Sequence, residues 1–308
     1  MPQVAIDIFL VLRPRHWIKN VVVLFPVPLA QRYAEVEAWQ AAVAAMVAFC
    51  LVSSTAYILN DIRDREADRL HPHKKNRPLA AGRIGIATAL GAAAVCLIAA
   101  AAIAAAVNTP TLTVVGFYFL LQVAYSLKLK QIVLIDVMCI AAGFVLRADA
   151  GAAAITVETS PWLIICTFTL CLFMGFCKRQ GELNAIADAE DAVNHRRTLQ
   201  PYTPKLLSQL VTISAAVSVV AYVSYTLHPR TVEAIGDHYL MVYTVPIVIY
   251  GVFRFAMLTL AGRQHDPTEL ILTDRPFQAA VLLWCVVTLA ILLFGPELAD
   301  WLAPNPHG

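Results

Sequence analysis

Charge is scarce in this chain: Asp, Glu, Lys and Arg make up 14% of its 308 residues, against 59% for hydrophobic residues. Ordinary soluble domains carry about one-quarter charged residues, so the balance argues against a water-soluble fold. Period-two alternation is also missing. The apolar residues fall in long Ala-rich blocks such as 38–59 and 84–107, which excludes a barrel built from short alternating strands. At about 1.5 Å per helical residue these blocks can cross the roughly 30 Å hydrocarbon layer, and they read as transmembrane helices. No CxxC pair occurs among Cys50, Cys96, Cys139, Cys166, Cys171, Cys177 and Cys285; zinc and redox chemistry lose their usual signature, and the cysteines read as reduced packing residues. The first apolar run, 4–12, lacks the preceding positive charges of a secretory leader, because Arg13, Arg15 and Lys19 follow it, and it reads as an interfacial helix. No short repeat and no Gly/Ser-rich linker divides the chain. It is therefore expected to be one domain, 1–308, with an interfacial segment 1–19 and two site-forming loops, 61–83 and 179–204.

The expected fold is all-α, a polytopic transmembrane bundle of about nine helices, with spans near 20–34, 38–60, 84–107, 110–127, 132–152, 161–178, 205–227, 239–261 and 277–295. The first is short and interrupted by Pro26 and Pro28, which buried membrane helices tolerate. If it spans, nearly all Lys and Arg fall on one side, and only Arg32 and Arg230 on the other. By the positive-inside rule the basic side is cytoplasmic, with the N-terminus inside. Both long polar connections lie on that side.

The most informative stretch is NDIRDREAD, Asn60 to Asp68. Asp61, Asp64 and Asp68 are spaced three and four apart, so at about 100° per residue they are expected to share an arc of about 60° on one helix face. Three negative charges in one patch are unfavourable without a counter-cation. Mg²⁺ takes carboxylate and phosphate oxygens, and a helix end at the membrane surface suits it. The competing reading is a solvated helix whose acids pair with Arg63, Arg65 and Arg69. Directly after it, HPHKKNRPLAAG supplies Lys74, Lys75 and Arg77, with Arg83 following. These cations suit phosphate oxygens, or serve as topology signals to an anionic leaflet.

The second connection opens with CKRQGEL, where Lys178, Arg179 and Glu182 close the sixth span; facing lipid would be costly, so they are expected to face the bundle interior or its aqueous mouth. Arg196, Arg197 and Tyr202 can reach an anion or remain solvated. Asp136 is either a site residue or half of a structural ion pair, and Arg147 and Asp149 read as snorkelling or structural. In RPRHWIKN, Arg13 to Asn20, Trp17 and the cations read as an interfacial anchor; alternatively, Lys19 and Asn20 contact a lipid phosphate or pyrophosphate.

Asn60, Asp61, Asp64 and Asp68 match the NDxxDxxxD motif position by position, and the chain resembles the UbiA-like superfamily of intramembrane prenyltransferases. RPRHWIKN, HPHKKNRPLAAG, YSLKLKQIVLIDV (Tyr125 to Val137) and CKRQGEL are similar to the decaprenyl-phosphate phosphoribosyltransferase branch. The resemblance implies transfer of phosphoribose from phosphoribosyl pyrophosphate to a polyprenyl phosphate, with loss of pyrophosphate, toward arabinan precursors of a bacterial envelope. It implies Mg²⁺ and donor pyrophosphate on Asn60, Asp61, Asp64 and Asp68, with Lys74, Arg77, Tyr125, Lys130, Lys178, Arg179 and Glu182 around them. His16, Cys177 and Asp149 depart from the usual pattern, and none is an expected metal ligand. The implied setting is the bacterial inner membrane with the site facing the cytoplasm, the bilayer as partner and no nucleic acid; a homo-oligomer is left open. An aromatic prenyltransferase with a second acidic motif at Asp188 and Asp191, and more remotely a secondary transporter, are the rival readings.

Overall fold

The computed structural model describes residues 2–70, 74–187, 202–233, 235–236, 238–261, 270 and 273–302. Among these residues every regular element is helical and no strand occurs. Among the described residues eight helices are long and apolar enough to cross a membrane: Val36–Arg63, Ile86–Val107, Thr109–Leu127, Ile135–Ala154, Pro161–Asn184, Pro204–Leu227, Leu240–Leu260 and Arg275–Gly295. They correspond to the last eight of the nine expected spans. The chain divides into two compact units, Met1–Ser160 and Pro161–Gly308.

The first unit contains α1 (Pro2–Val11), α2 (Pro26–Leu29), α3 (Val36–Arg63), α4 (Arg65–Leu70), α5 (Ile86–Val107), α6 (Thr109–Leu127) and α7 (Ile135–Ala154). Its packing follows from small side chains. On α5 the buried positions Ala89, Ala93, Cys96, Ala100 and Ala104 repeat every three or four residues, while Leu90, Val95 and Ile98 face outward. The Ala stripe lies against α3. Lipid tails are as apolar as Leu, so close backbone approach through small residues, rather than hydrophobic contrast, holds such helices together. Asn108 joins two helix ends: its side-chain carbonyl accepts from Thr111 N at 2.8 Å at the start of α6, and its amide donates to Ala153 O at 2.9 Å at the end of α7. Four orphan carbonyls end every helix, and this amide satisfies one of them.

The first expected span departs from the α-helical reading. Residues Pro14–Leu24 form a 3-10 helix, continued by the four-residue α2. Pro14, Pro26 and Pro28 each lack the N–H that an α-helix uses, and each crowds the preceding turn. A 3-10 run this long is uncommon, and burial of Asn20 and Val23 supports it. It runs antiparallel to α3 along much of its length: Arg13 meets Asp61, Trp17 Nε1 donates to Ser54 Oγ at 3.0 Å, and Asn20 Nδ2 lies 3.3 Å from Cys50 Sγ. Further on, Arg32 pairs with Glu35, just before α3, and donates to Ile155 O beyond α7. At about 2.0 Å per residue, eleven 3-10 residues reach about 22 Å, more than the same number in an α-helix. Arg13 and the acidic stretch consequently share one end of the unit. Gly151 permits the fit against α7, because a Cβ there would lie 2.0 Å from Val23 O.

In the second unit α8 (Pro161–Ala187), α9 (Pro204–Leu227), α10 (Pro229–Glu233), α11 (Val245–Leu260) and α12 (Arg275–Leu302) pack in sequence neighbourhoods, α8 on α9 and α11 on both α9 and α12. Pro204 opens α9 behind Thr203, whose hydroxyl accepts from Leu206 N at 3.1 Å, a good N-terminal signal. Tyr222 OH lies 2.7 Å from Thr244 Oγ1 and accepts from Trp284 Nε1 at 2.8 Å. Arg254 pairs with Asp274 at 2.9 Å, and Asp274 also accepts from Phe277 N at the start of α12. The hydrogen bond from Arg254 holds the Asp274 carboxyl below the usual carboxylate range, against the opposing effect of its desolvation.

Candidate functional site

The acidic stretch sits where α3 stops. Asp64 caps α3 with φ −88° and ψ 7°, and Asp68 belongs to the separate short helix α4. The three carboxylates therefore do not share one uninterrupted helix. Asp61 and Asp68 are 4% and 5% exposed, whereas the Asp64 side chain is 32% exposed. Burial of two ionised carboxylates this close requires compensation.

Compensation comes from three cations on three different parts of the unit. Arg77 Nη1 lies 3.1 Å from Asp61 Oδ1 and 2.6 Å from Asp68 Oδ2, bridging the break between α3 and α4. Arg13 Nη2 donates to the same Asp61 oxygen at 2.6 Å. Lys130 Nζ lies 2.7 Å from both oxygens of Asp64 and 3.1 Å from Asn60 Oδ1. The motif is thus split into two sets: Asp61 and Asp68 on guanidinium groups, Asn60 and Asp64 on an ammonium. Three charges of each sign meet here, which answers the crowding argument from sequence with protein cations.

Arg13 is the residue that sequence reasoning passed over, having taken it as part of an interfacial anchor. Its backbone is left-handed, φ 54° and ψ 58°, a conformation that costs a non-glycine residue on the order of 1 kcal/mol. The guanidinium also lies 5.2 Å from the centre of the Tyr57 ring, which packs against His16. The signal available in the sequence was the Arg-Pro step directly before a Pro-interrupted span.

Other expected site residues are placed as follows. Lys74 lies in a 3-10 turn, Lys74–Asn76, leading to Arg77. Tyr125 is half-buried near the end of α6, just before Lys130. Asp136 is fully buried in the first turn of α7. Lys19 is half-buried on the 3-10 helix. Asn20 is drawn away from the carboxylates into a buried network: Arg147 Nε donates to Asn20 Oδ1 at 2.7 Å, Arg147 Nη1 to Gly143 O at 2.8 Å and Arg147 Nη2 to Tyr118 OH at 2.8 Å. Arg147 also stacks within 5 Å of Tyr118 and Phe144, so its role is structural. Asp149 accepts from Thr159 Oγ1. In the second unit Lys178, Arg179 and Glu182 lie within α8, the sixth span, with Arg179 1% exposed and paired to Glu182. Arg196, Arg197, Asp188 and Asp191 lie outside the described residues.

The family model described as the UbiA prenyltransferase family matches residues 21–272. The chain belongs to the UbiA prenyltransferase family. It is 34% identical over 283 residues, 88% of each chain, to a decaprenyl-phosphate phosphoribosyltransferase of Mycolicibacterium smegmatis. A protein of the same name from Mycobacterium tuberculosis H37Rv is 32% identical over 290 residues, 92% of this chain and 93% of that one. Among solved structures, a UbiA homolog from Archaeoglobus fulgidus bound to DMAPP and Mg²⁺ superposes with a TM-score of 0.70 at 19% identity, over 93% of this chain and 99% of the other. That likeness bears on the fold, and it agrees with the all-helical architecture found for this UbiA-family chain.

Among the described residues no group of three or more His, Cys, Asp or Glu is gathered around one point to hold a metal ion. The donor chemistry nevertheless fits Mg²⁺. Asn60, Asp61, Asp64 and Asp68 offer only hard oxygen atoms, and Asp64 presents both of its oxygens to a flexible ammonium rather than to fixed backbone donors. A divalent ion would take over the carboxylates from Lys130 and Arg77.

Proposed function

We propose that the chain transfers the 5-phosphoribosyl group of phosphoribosyl pyrophosphate to a polyprenyl phosphate such as decaprenyl phosphate, releasing pyrophosphate. The observation that carries this reading is the cation set of the first unit: Arg13, Arg77 and Lys130 converge on Asp61, Asp64 and Asp68. The two relatives named for this activity, at 32% and 34% identity over most of both chains, support the choice of donor and acceptor. The accompanying setting is the inner membrane of a bacterium, with the carboxylates at the cytoplasmic face and the product feeding arabinan precursors of the envelope.

In this reading a new bond forms between an oxygen of the lipid phosphate and the anomeric carbon of the ribose. The bond from that carbon to the pyrophosphate oxygen breaks, and its electron pair leaves with the pyrophosphate. The acceptor is already anionic near neutral pH, so the chain needs no strong general base, and its cations align the reactants and stabilise developing charge. Asn60, Asp61, Asp64 and Asp68 would hold Mg²⁺, which when bound supplies charge neutralisation of the leaving group. Lys130 and Arg77 would hold pyrophosphate oxygens, and Lys74 would add a further cation on the same connection. Arg13 keeps Asp61 oriented. Lys178 and Arg179 are assigned to phosphate contacts in the second unit.

The test supplies the purified protein with polyprenyl phosphate and labelled phosphoribosyl pyrophosphate, or with an aromatic acceptor and labelled prenyl pyrophosphate. Label in a lipid-linked phosphoribose only with the first pair is expected. Label only in a prenylated aromatic product would overturn the assignment.

A further inference from the structure

Apart from the acidic cluster, the first unit carries a lateral groove of about 520 Å³ between the 3-10 helix and α3. One wall is Arg15, Ile18 and Val21; the other is Met46, Val47, Cys50 and Leu51. The gap has a cause in the two helix types. At 3.0 residues per turn, Arg15, Ile18 and Val21 eclipse one another in a straight row. The α3 wall recurs at 3.6, so its ridges cannot follow that row, and the interdigitation that closes ordinary helix pairs is lost. Trp17 lies between the walls and is fixed by its hydrogen bond to Ser54.

The groove is polar at one end only. Arg15 is exposed and makes no ion pair among the described residues, while Ile18 is 66% and Val47 40% exposed on the open side. Along the 3-10 helix Arg15 lies toward Arg13 and its partner Asp61, whereas Val21 lies opposite the middle of α3. A cation at one end of an apolar groove complements an amphiphile with an anionic head and an apolar chain. A guanidinium recognises phosphate through charge-assisted hydrogen bonds.

We propose that this groove is a docking site for the polyprenyl phosphate acceptor, with the phosphate on Arg15 and the first isoprene units along Ile18, Val21, Met46 and Val47. The identity of the occupant rests on the acceptor class argued above. Arg15 lies two residues from Arg13, the partner of Asp61, so an acceptor phosphate held there sits on the segment that reaches the acidic cluster.

The test uses the full chain in nanodiscs and a polyprenyl phosphate carrying a photoreactive diazirine near its head. Wild-type protein is expected to label within 15–21 and 46–51. Arg15→Gln should cut labelling about tenfold and raise KM for the lipid by a similar factor, with KM for the donor within about twofold, as loss of one charge-assisted hydrogen bond implies. Arg15→Lys should recover part of the labelling, and Val47→Trp, which fills the lipid-facing side without removing a charge, should also abolish it. Equal labelling of wild type, Arg15→Gln and Val47→Trp would overturn the proposal. So would displacement by excess phosphatidylglycerol as effective as displacement by unlabelled polyprenyl phosphate. Photolabelling needs no turnover: expected labelling in a protein that transfers no phosphoribose removes the transferase reading and leaves the groove, whereas transfer with unchanged labelling removes the groove alone.

Discussion

Lys130 Nζ lies 2.7 Å from each oxygen of Asp64, a symmetric contact between residues 66 positions apart. If Asp64 holds Mg²⁺ as proposed, Lys130 would have to give up at least part of this contact. On that proposal the ammonium and the metal would compete for Asp64. Lys130→Met is expected to bind Mg²⁺ more tightly while transferring phosphoribose about 100-fold more slowly, because a stabilising cation of the leaving group is lost. Mg²⁺ titration of activity and of intrinsic fluorescence checks both effects; a weaker Mg²⁺ requirement with unchanged turnover would show Lys130 to be a bystander.

Arg77 bridges Asp61 and Asp68 across the break between α3 and α4. Arg77→Ala leaves Asp68 buried without that guanidinium and is expected to cost about 3 kcal/mol, as removal of one member of a buried pair does. Asp68→Asn should lose less, and the double variant should not be additive, with a coupling of about 1 kcal/mol or more. Thermal unfolding in detergent measures the cycle, and simple additivity would mean the bridge is not formed in solution.

Gly151 faces Val23 O, which a Cβ would approach to 2.0 Å. Backbone on that side cannot rotate away as a flexible side chain would. Gly151→Ala is expected to destabilise the first unit by about 1–3 kcal/mol, the usual range for overpacking. A thermal midpoint equal to wild type would contradict the packing of the 3-10 helix on α7.

Arg147 gathers Asn20, the Gly143 carbonyl and Tyr118 in the buried interior. Asn20→Ala is expected to lower the thermal midpoint by leaving part of this guanidinium unsatisfied, a loss of about 1–3 kcal/mol. Lysine cannot reproduce the fork, so Arg147→Lys should not rescue an Arg147→Ala variant. A pure rise in donor KM for Asn20→Ala, without loss of stability, would return Asn20 to the substrate site.

The eight long spans were legible because a hydrocarbon layer of fixed thickness writes its length into the apolar blocks. The residues of the acidic motif were legible because they are contiguous. The partners were not. Arg13 meets Asp61 across 48 positions, and Arg147 meets Asn20 across 127; such contacts depend on which helix faces meet, which composition and spacing leave open. The break at Asp64 was hidden because every residue from Asn60 to Asp68 is compatible with one helix, so the expected single face gave way to two cation-held sets. Pro26 and Pro28 marked the first span as irregular, but the 3-10 form of Pro14–Leu24 depends on tertiary support from α3 and α7, including the missing Cβ of Gly151.

Phosphoribosyl transfer to a lipid phosphate, as proposed above, requires these carboxylates. The most direct measurement is the rate at which membranes carrying wild type or Asp64→Ala transfer labelled phosphoribose from phosphoribosyl pyrophosphate to polyprenyl phosphate in Mg²⁺, with protein amounts matched. Transfer by wild type, with a loss of at least about 100-fold in Asp64→Ala, is expected from removal of a metal-holding group. Transfer by Asp64→Ala at the wild-type rate would show that these carboxylates do not serve this reaction.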